Sequence, residues 1–339
     1  MKIKIIYFTF IYISIISNMN VFSQLDIKSS NVLKTQLIQP EYLKSGDTIS
    51  IVAPSGVLNN FDNKITKAIN IFKSWGLNVV IGNHIFDKNG HFAGTDKNRE
   101  KDFQKALDNK NIKAIWCARG GYGAVRIIDN LNFDNYLKNP KWIIGFSDIT
   151  VIHNKLNLLN SESIHAMMIT GFEDIDQSND SLSKLKNVLF GDSLSYSIIS
   201  NKNNKAGKSE GIIVGGNLTL IQSTIGSKTE LITKNKILFI EEVGEYTYRI
   251  DRMLLSLKRA GFFDNCNGLI VGQVSDIKKN AIDFGMSINE IILDILDQYN
   301  FPILFDFPAG HEKTNFPIIL GRKVILDVSK FKSKVIFYD

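Results

Sequence analysis

Cysteine and histidine are too scarce in this chain to build a metal centre or a disulfide framework. Its 339 residues include two cysteines and five histidines, with no CxxC pair and no histidine cluster. Cys117 lies in an apolar run typical of a buried strand, and Cys266 lies in a polar turn. Two buried free thiols are therefore favoured over one disulfide. We expect no metal site and no cofactor.

A concentrated block of positive charge is also missing. The 40 Lys and Arg residues are scattered among 34 Asp and Glu residues, which leaves a formal net charge of +6. This distribution does not favour nucleic-acid binding. A hydrophobic fraction of 44% and a charged fraction of 22% indicate a folded globular protein, and the length is sufficient for two domains.

The N-terminal apolar run is too short to span a bilayer comfortably. Two lysines precede the apolar residues 5–16, and Val21 and Ser23 offer small residues for cleavage before Gln24. This order is typical of a secretory signal peptide, residues 1–23. An uncleaved membrane anchor is the alternative, whereas a lipid anchor is not expected because no cysteine follows. We predict an exported, periplasmic protein without a stable membrane span after cleavage.

Strand-like and helix-like segments alternate through the rest of the chain. Residues 41–175 predict an open, doubly wound parallel α/β sheet. Residues 176–208 are polar and predict an interdomain connection, with a surface insertion as the alternative. A second alternation predicts a β/α domain over residues 209–339. The predicted helices are residues 61–75, 97–109, 122–131, 148–159, 217–225, 246–260 and 288–296.

Ser147 is the first candidate for chemistry. It lies in Gly145-Phe146-Ser147-Asp148-Ile149-Thr150, where a predicted strand ends and a predicted helix begins. A hydroxyl at this edge of an open sheet is placed where ligands bind, and the first turn of a helix supplies unpaired N–H groups for an oxyanion. The Asp148 amide is the natural donor. The segment is similar to a nucleophile elbow, although Ile149 replaces the second glycine of GxSxG. A helix-capping serine is the alternative.

A glycine-rich loop, Arg119-Gly120-Gly121-Tyr122-Gly123, follows another predicted strand. Glycine allows a backbone to approach a substrate closely. The loop lacks the full G-x-G-x-x-G spacing of dinucleotide sites. We therefore prefer a loop that lines the Ser147 site, with a second oxyanion N–H from Gly121.

Two further segments offer the partners that a serine nucleophile needs. Glu241 and Glu242 end an apolar strand, and either could orient a histidine or be a solvated strand end. His311 follows Pro308 and Gly310 on a predicted loop, where it can be presented to a cleft.

These motifs together resemble the LD-carboxypeptidase family of serine peptidases, which also contains the microcin C self-immunity peptidases. The resemblance runs from about Lys44 to the C-terminus. It rests on Gly46-Asp47-Thr48, Ala53-Pro54-Ser55-Gly56, Phe92-Ala93-Gly94-Thr95, Arg119–Gly123, Gly145–Asp148, Gly215-Gly216-Asn217-Leu218, Glu241, Tyr248–Leu254, Gly310-His311, Pro317 and Leu320-Gly321.

The resemblance implies a Ser-Glu-His triad of Ser147, Glu241 and His311. Family members usually carry Asp after the triad glutamate, whereas this chain has Glu242, so the acid that faces His311 is open to test; we choose Glu241. The resemblance further implies a flavodoxin-like N-terminal domain, a smaller C-terminal β/α domain with the site between them, and often a homodimer.

The activity that the resemblance implies is hydrolysis of the L,D-amide bond before the terminal D-alanine of murein tetrapeptides, in peptidoglycan turnover. Arg119 is a candidate for binding the free carboxylate of such a substrate, and a structural ion pair is its alternative. A microcin-type peptidase that cleaves aminoacyl-nucleotide amides is the alternative within the family. A periplasmic binding module without catalysis is the alternative from another class.

Overall fold

The computed structural model describes residues 37–59, 62–172 and 179–339. The predicted signal peptide lies outside the described residues. The strands are β1 (Thr48–Val52), β2 (Asn78–Ile81), β3 (Ile112–Cys117), β4 (Trp142–Gly145), β5 (Ser163–His165), β6 (Ser195–Ile199), β7 (Gly207–Asn217), β8 (Lys236–Val243), β9 (Gly268–Ser275), β10 (Ile303–Leu304), β11 (Ile318–Leu320), β12 (Lys323–Val328) and β13 (Lys332–Phe337).

The described α-helices are α1 (Asp62–Ser74), α2 (Asp96–Asp108), α3 (Asp134–Lys138), α4 (Thr150–Leu158), α5 (Asp180–Leu189), α6 (Leu218–Ser223), α7 (Thr247–Arg259) and α8 (Ile288–Ile295). None of them is long and apolar enough to cross a membrane.

The first sheet has the strand order β11-β5-β4-β3-β1-β2. Strands β1 to β5 run parallel, and β11 pairs antiparallel with β5. The order 2-1-3-4-5 is that of flavodoxin-like folds. Trp116 of β3 belongs to the same apolar cluster as Phe72 of α1, whereas its neighbour Ile115 packs in the cluster of Phe103 of α2. Successive strand residues point to opposite faces, so helices cover both faces of the sheet, as predicted.

The second sheet has the order β10-β9-β8-β7-β12-β13-β6. Strands β7 to β10 are parallel, and β12, β13 and β6 are antiparallel. The predicted α/β class with a second β/α sheet is thus confirmed. The residues given to a connection hold α5 and β6, and β6 is an edge strand of this second sheet. Because β11 from the C-terminal segment joins the first sheet, the two sheets are interleaved in sequence, and the domain bounds stay a prediction.

One predicted helix is wrong. Residues 122–131 contain two short 3₁₀ turns, Ala124–Arg126 and Ile128–Asn130, instead of an α-helix. Gly123 has a φ of 144°, and the Ala124 amide donates to Oδ2 of Asp148 at 2.8 Å. This side-chain acceptor, 24 residues away, holds the backbone in a path that a continuous helix would not take.

A buried ion pair ties the turn between β11 and β12 to the residue that precedes β5. Arg322 donates from Nε to Oε1 of Glu162 at 2.9 Å and from Nη2 to Oε2 at 2.7 Å. Both side chains are almost completely buried. Such a two-pronged pair fixes the orientation as well as the distance of the two segments. Elsewhere, both cysteines are buried free thiols, as predicted.

Candidate active site

Ser147 has a backbone conformation that serine rarely adopts. Its φ is +61°, and it opens a 3₁₀ turn, Ser147–Ile149, between β4 and α4. A Cβ atom on Gly145 would lie only 2.9 Å from Cγ1 of Ile149. The sharp strand-to-helix turn therefore requires glycine at position 145. A non-glycine residue in this left-handed backbone conformation destabilises the fold by about 1–3 kcal/mol, and such residues cluster at active sites. The geometry is that of a nucleophile elbow, in which Ile149 packs against Gly145.

The alternative role of Ser147 as a helix cap has no support in its hydrogen bonds. Phe146 occupies the cap position of the 3₁₀ turn and Ile149 that of α4, and neither end has a side-chain cap bond. The Ser147 hydroxyl is therefore not engaged in capping.

A buried histidine that sequence reasoning did not select, His153, bonds the backbone at the start of the elbow. Nε2 of His153 lies 2.9 Å from the carbonyl oxygen of Gly145, and Nδ1 lies 2.8 Å from Oγ of Ser163. Burial lowers the pKa of His153 to about 4, so the ring is neutral at ordinary pH. A neutral imidazole donates one bond and accepts the other, which fits these two partners. Its only sequence signal is its place one turn into the helix after the elbow.

The glycine loop lies against Ser147, as expected. A Cβ on Gly120 would lie 3.1 Å from Cβ of Ser147 and 3.2 Å from its Oγ. Gly120 therefore makes the close approach. A Cβ on Gly121 would instead lie nearest to Gly56 and His91, at 3.7–3.8 Å. The Gly121 amide remains a predicted oxyanion donor.

The Asp148 side chain joins the elbow to the glycine loop. Asp148 is completely buried, and its carboxylate accepts the Ala124 amide described above. Burial raises the pKa of Asp148. Its backbone N–H lies in the first turn after Ser147, where helix amides have no partner in the helix itself.

Arg119 is directed towards a neighbouring loop. The half-buried side chain donates from Nη1 to the carbonyl oxygen of Val57. This bond fastens the glycine loop to the segment after β1. The proposed contact of Arg119 with substrate remains a prediction.

Glu241 and His311 are in direct contact. Nδ1 of His311 lies 2.7 Å from Oε2 of Glu241. The Glu241 side chain is fully buried, and that of His311 is 18% exposed. A histidine held through Nδ1 presents Nε2 to its other side, which is the arrangement of a catalytic base and its orienting acid.

Glu242 faces a different part of the molecule. It accepts hydrogen bonds from Nδ2 of Asn217 and from both the amide and the hydroxyl of Thr219, at 2.7–3.1 Å. Glu242 therefore serves the start of α6, whereas Glu241 meets the histidine.

The electrostatics of His311 are set by two opposing effects. Burial lowers the pKa of His311, but the bond to Glu241 and its charge outweigh burial and raise the pKa overall, with smaller contributions from Glu242 and Asp276. The imidazolium form is thus stabilised, as a base needs while it holds a proton during reaction.

The His311 loop is clamped by Gln273 of β9, a residue that sequence reasoning missed. Its Oε1 accepts the Glu312 amide at 2.9 Å, and its Nε2 donates to the Thr314 carbonyl at 2.7 Å. Its own amide donates to the Ala309 carbonyl at 2.9 Å. The available signal was a polar residue near the carboxyl end of a parallel strand.

A cavity of about 400 Å³ adjoins these groups. Phe146 and His311 both line it, and their ring centroids are 4.7 Å apart. Ser147 follows Phe146 in the chain and is not among the residues that line the cavity. In the described part of the chain, Ser147 and His311 share no hydrogen bond; bonds of this kind often tighten only when substrate binds. Among those same residues, no group of three His, Cys, Asp or Glu side chains could hold a metal ion.

Known proteins resemble this chain in sequence and in fold. Residues 49–166 match the LD-carboxypeptidase N-terminal domain and residues 210–326 the C-terminal domain. A putative carboxypeptidase of Synechocystis is 31% identical, covering 87% of this chain and 96% of the relative. The microcin C7 self-immunity protein of Escherichia coli is 26% identical, covering 84% and 92%. The crystal structure of muramoyltetrapeptide carboxypeptidase from Oxalobacter formigenes matches with a TM-score of 0.79 and 28% identity, covering 86% of this chain and 99% of that one.

The chain therefore belongs to the LD-carboxypeptidase family of serine peptidases. It is an enzyme of that family, and the alternative of a binding module without catalysis is set aside.

Proposed function

We propose that this enzyme hydrolyses the L,D-amide bond before the terminal D-alanine of murein tetrapeptides. The observation that carries the proposal is the 2.7 Å bond between His311 and the buried Glu241, beside a serine held at positive φ. The names of the relatives support murein peptides as the substrate class.

In the first half of the reaction, Nε2 of His311 takes the proton from Oγ of Ser147 as Oγ attacks the scissile carbonyl carbon. Glu241 holds the ring and stabilises its positive charge. The amides of Asp148 and Gly121 donate to the oxyanion. The intermediate then collapses, the C–N bond breaks, and His311 gives its proton to the amine of the departing D-alanine.

In the second half, water replaces the departed amine. His311 takes a proton from this water, whose oxygen attacks the acyl carbon, and the proton passes to Oγ of Ser147 as the ester bond breaks. The products are a tripeptide acid and D-alanine, and the side chains return to their starting state.

The predicted signal peptide places this reaction outside the cytoplasm, where murein fragments are met directly. Fusing residues 1–36 to a reporter and sequencing the mature N-terminus would test export and cleavage before Gln24. The resemblance also favours a homodimer, which sedimentation analysis would test.

The activity is tested with purified enzyme and a murein tetrapeptide. Wild type should release D-alanine, and Ser147→Ala should lower kcat by several orders of magnitude. Ser256→Ala, at a half-buried position of α7 where the hydroxyl bonds the Arg252 carbonyl of the same helix, is the matched control and should keep full activity. Unchanged release by Ser147→Ala, or no release by folded wild type, would contradict the proposal.

The alternative substrate is an aminoacyl-nucleotide amide, favoured by the 26% identity to the microcin C7 self-immunity protein. Toxins of this kind act in the cytoplasm, so the predicted signal peptide argues against it. Turnover of a tetrapeptide and of an aminoacyl sulfamoyl adenosine, compared on one preparation, separates the two; faster turnover of the adenosine compound would favour the alternative.

A further inference from the structure

One wall of the cavity beside His311 carries a buried donor that has no partner among the described residues. Asn315 lines the cavity and is 4% exposed. Its Nδ2 makes no hydrogen bond within the described residues. Burying an amide group without a hydrogen-bond partner is unfavourable, so its presence at a cavity wall calls for a ligand.

The orientation of the Asn315 amide is fixed by its other bonds. Oδ1 accepts the Gly310 amide at 3.2 Å, and a backbone N–H requires an acceptor, so the oxygen is assigned to that side. The backbone N–H of Asn315 donates to Oγ of Ser181, in the first turn of α5, at 3.1 Å. Nδ2 is thus held rigidly, and it can only donate.

Two further features of the same wall favour a negative charge. Lys313, two residues before Asn315, also lines the cavity and is exposed. Asn179, which caps the ten-residue helix α5, lines it as well, so the positive end of that helix lies at the wall. Glu312 is the acid among the described lining residues, and its amide is held by Gln273.

We propose that Asn315 and Lys313 form the subsite for the free α-carboxylate of the residue released by the enzyme. Nδ2 of Asn315 donates one hydrogen bond to the carboxylate, and the Lys313 ammonium supplies the opposite charge. The inference rests on the proposed peptidase activity and assigns its carboxypeptidase specificity to this wall. It replaces Arg119, whose guanidinium donates to Val57, as the carboxylate-binding residue.

The position suits this role because the wall continues the loop that carries the catalytic base. Gly310 and His311 line the same cavity as Lys313 and Asn315. A substrate whose scissile carbonyl is at Ser147 places its last carboxylate only one residue further on. The clamp by Gln273 therefore fixes both the base and the carboxylate subsite.

The test compares a murein tetrapeptide with the same peptide carrying a C-terminal amide. The quantity measured is the ratio of kcat/KM for acid over amide. Charge-assisted bonds of this kind correspond to roughly tenfold or more in binding. We expect Lys313→Gln to lower the ratio about tenfold, mainly through KM for the acid, and Lys313→Arg to retain most of it. Asn315→Asp, which keeps an acceptor for Gly310 and adds repulsion, should lower it further.

The controls separate this effect from general damage. Lys332→Gln, at an exposed position of β13, should leave the ratio unchanged. A folding defect lowers kcat/KM for both substrates equally and leaves the ratio intact. If Asn315→Asp is unstable, the Lys313 variants still test the subsite, because Lys313 is exposed. Unchanged ratios in Lys313→Gln, or a lost ratio in Arg119→Gln alone, would overturn the subsite. If wild type cleaves neither peptide, it is the proposed peptidase function that fails.

Discussion

Nδ1 of His311 lies 2.7 Å from Oε2 of Glu241, whereas the carboxylate of Glu242 accepts the Thr219 amide. Both glutamates are buried at the end of β8. Glu241 meets His311, whereas Glu242 accepts from Asn217 and Thr219, and this difference in partners is the basis for proposing Glu241 as the catalytic acid.

Paired glutamine substitutions test this division of roles. Glu241→Gln should lower kcat by roughly four orders of magnitude, because the amide cannot stabilise the imidazolium. Glu242→Gln should change kcat little and lower the free energy of unfolding by about 1–3 kcal/mol, because it disturbs a buried hydrogen-bonded network. Steady-state kinetics measure kcat, and urea unfolding measures the free energy of unfolding. If Glu242→Gln abolished activity and Glu241→Gln did not, the two assignments would be exchanged.

The raised pKa of His311 predicts the pH dependence. As the proposed base, His311 must be neutral to act, so kcat/KM should fall on the acid side with a midpoint above 6.5, the ordinary pKa of histidine. In Glu241→Gln this midpoint should move to lower pH, because the largest effect that raises the pKa is lost. A midpoint that stays in place would show that another group controls it.

The same linkage affects stability. Because folding raises the pKa of His311, the stabilisation by Glu241 is fully present below about pH 6.5 and is lost as the pH rises through the higher, folded pKa. Urea unfolding of wild type and Glu241→Gln across this range should therefore show a difference that shrinks as the pH rises.

The Gln273 clamp predicts a catalytic effect from a residue that touches no substrate. Gln273→Leu removes the two side-chain bonds to the His311 loop and should lower kcat about 10- to 100-fold, because the base is displaced. Gln104→Leu is the matched control: Gln104 also bonds an amide and a carbonyl, both of Asn132, on the exposed surface. Gln104→Leu should lower the unfolding free energy by about as much as Gln273→Leu does, but it should leave kcat unchanged. Equal kcat in both variants would refute positioning by Gln273.

The ion pair of Glu162 and Arg322 predicts a large effect on stability. Arg322→Met leaves a buried carboxylate without its partner, which should lower the unfolding free energy by about 3–5 kcal/mol. Lys323→Met breaks an exposed pair with Glu210 and should change it little. Restoration of stability in the double variant Glu162→Leu with Arg322→Met would identify the unpaired charge as the cause.

The sequence by itself determined the alternating order of strands and helices, the elbow at Ser147 and the glycine loop beside it. These features are local, since apolar periodicity and glycine at a sharp turn act within a few residues. The family resemblance, carried by motifs spread along the chain, pointed to Ser147, Glu241 and His311.

Only the tertiary structure decided what depends on distant segments. It separated Glu241 from Glu242 by the position of His311, 70 residues away. It replaced the predicted helix at residues 122–131 by 3₁₀ turns, since Asp148 captures an amide there. It also brought Gln273, Lys313 and Asn315 to one cavity. Residue type alone does not reveal such partners, because a polar side chain at a strand end or on a loop gains its role only when the fold supplies the atom that it bonds.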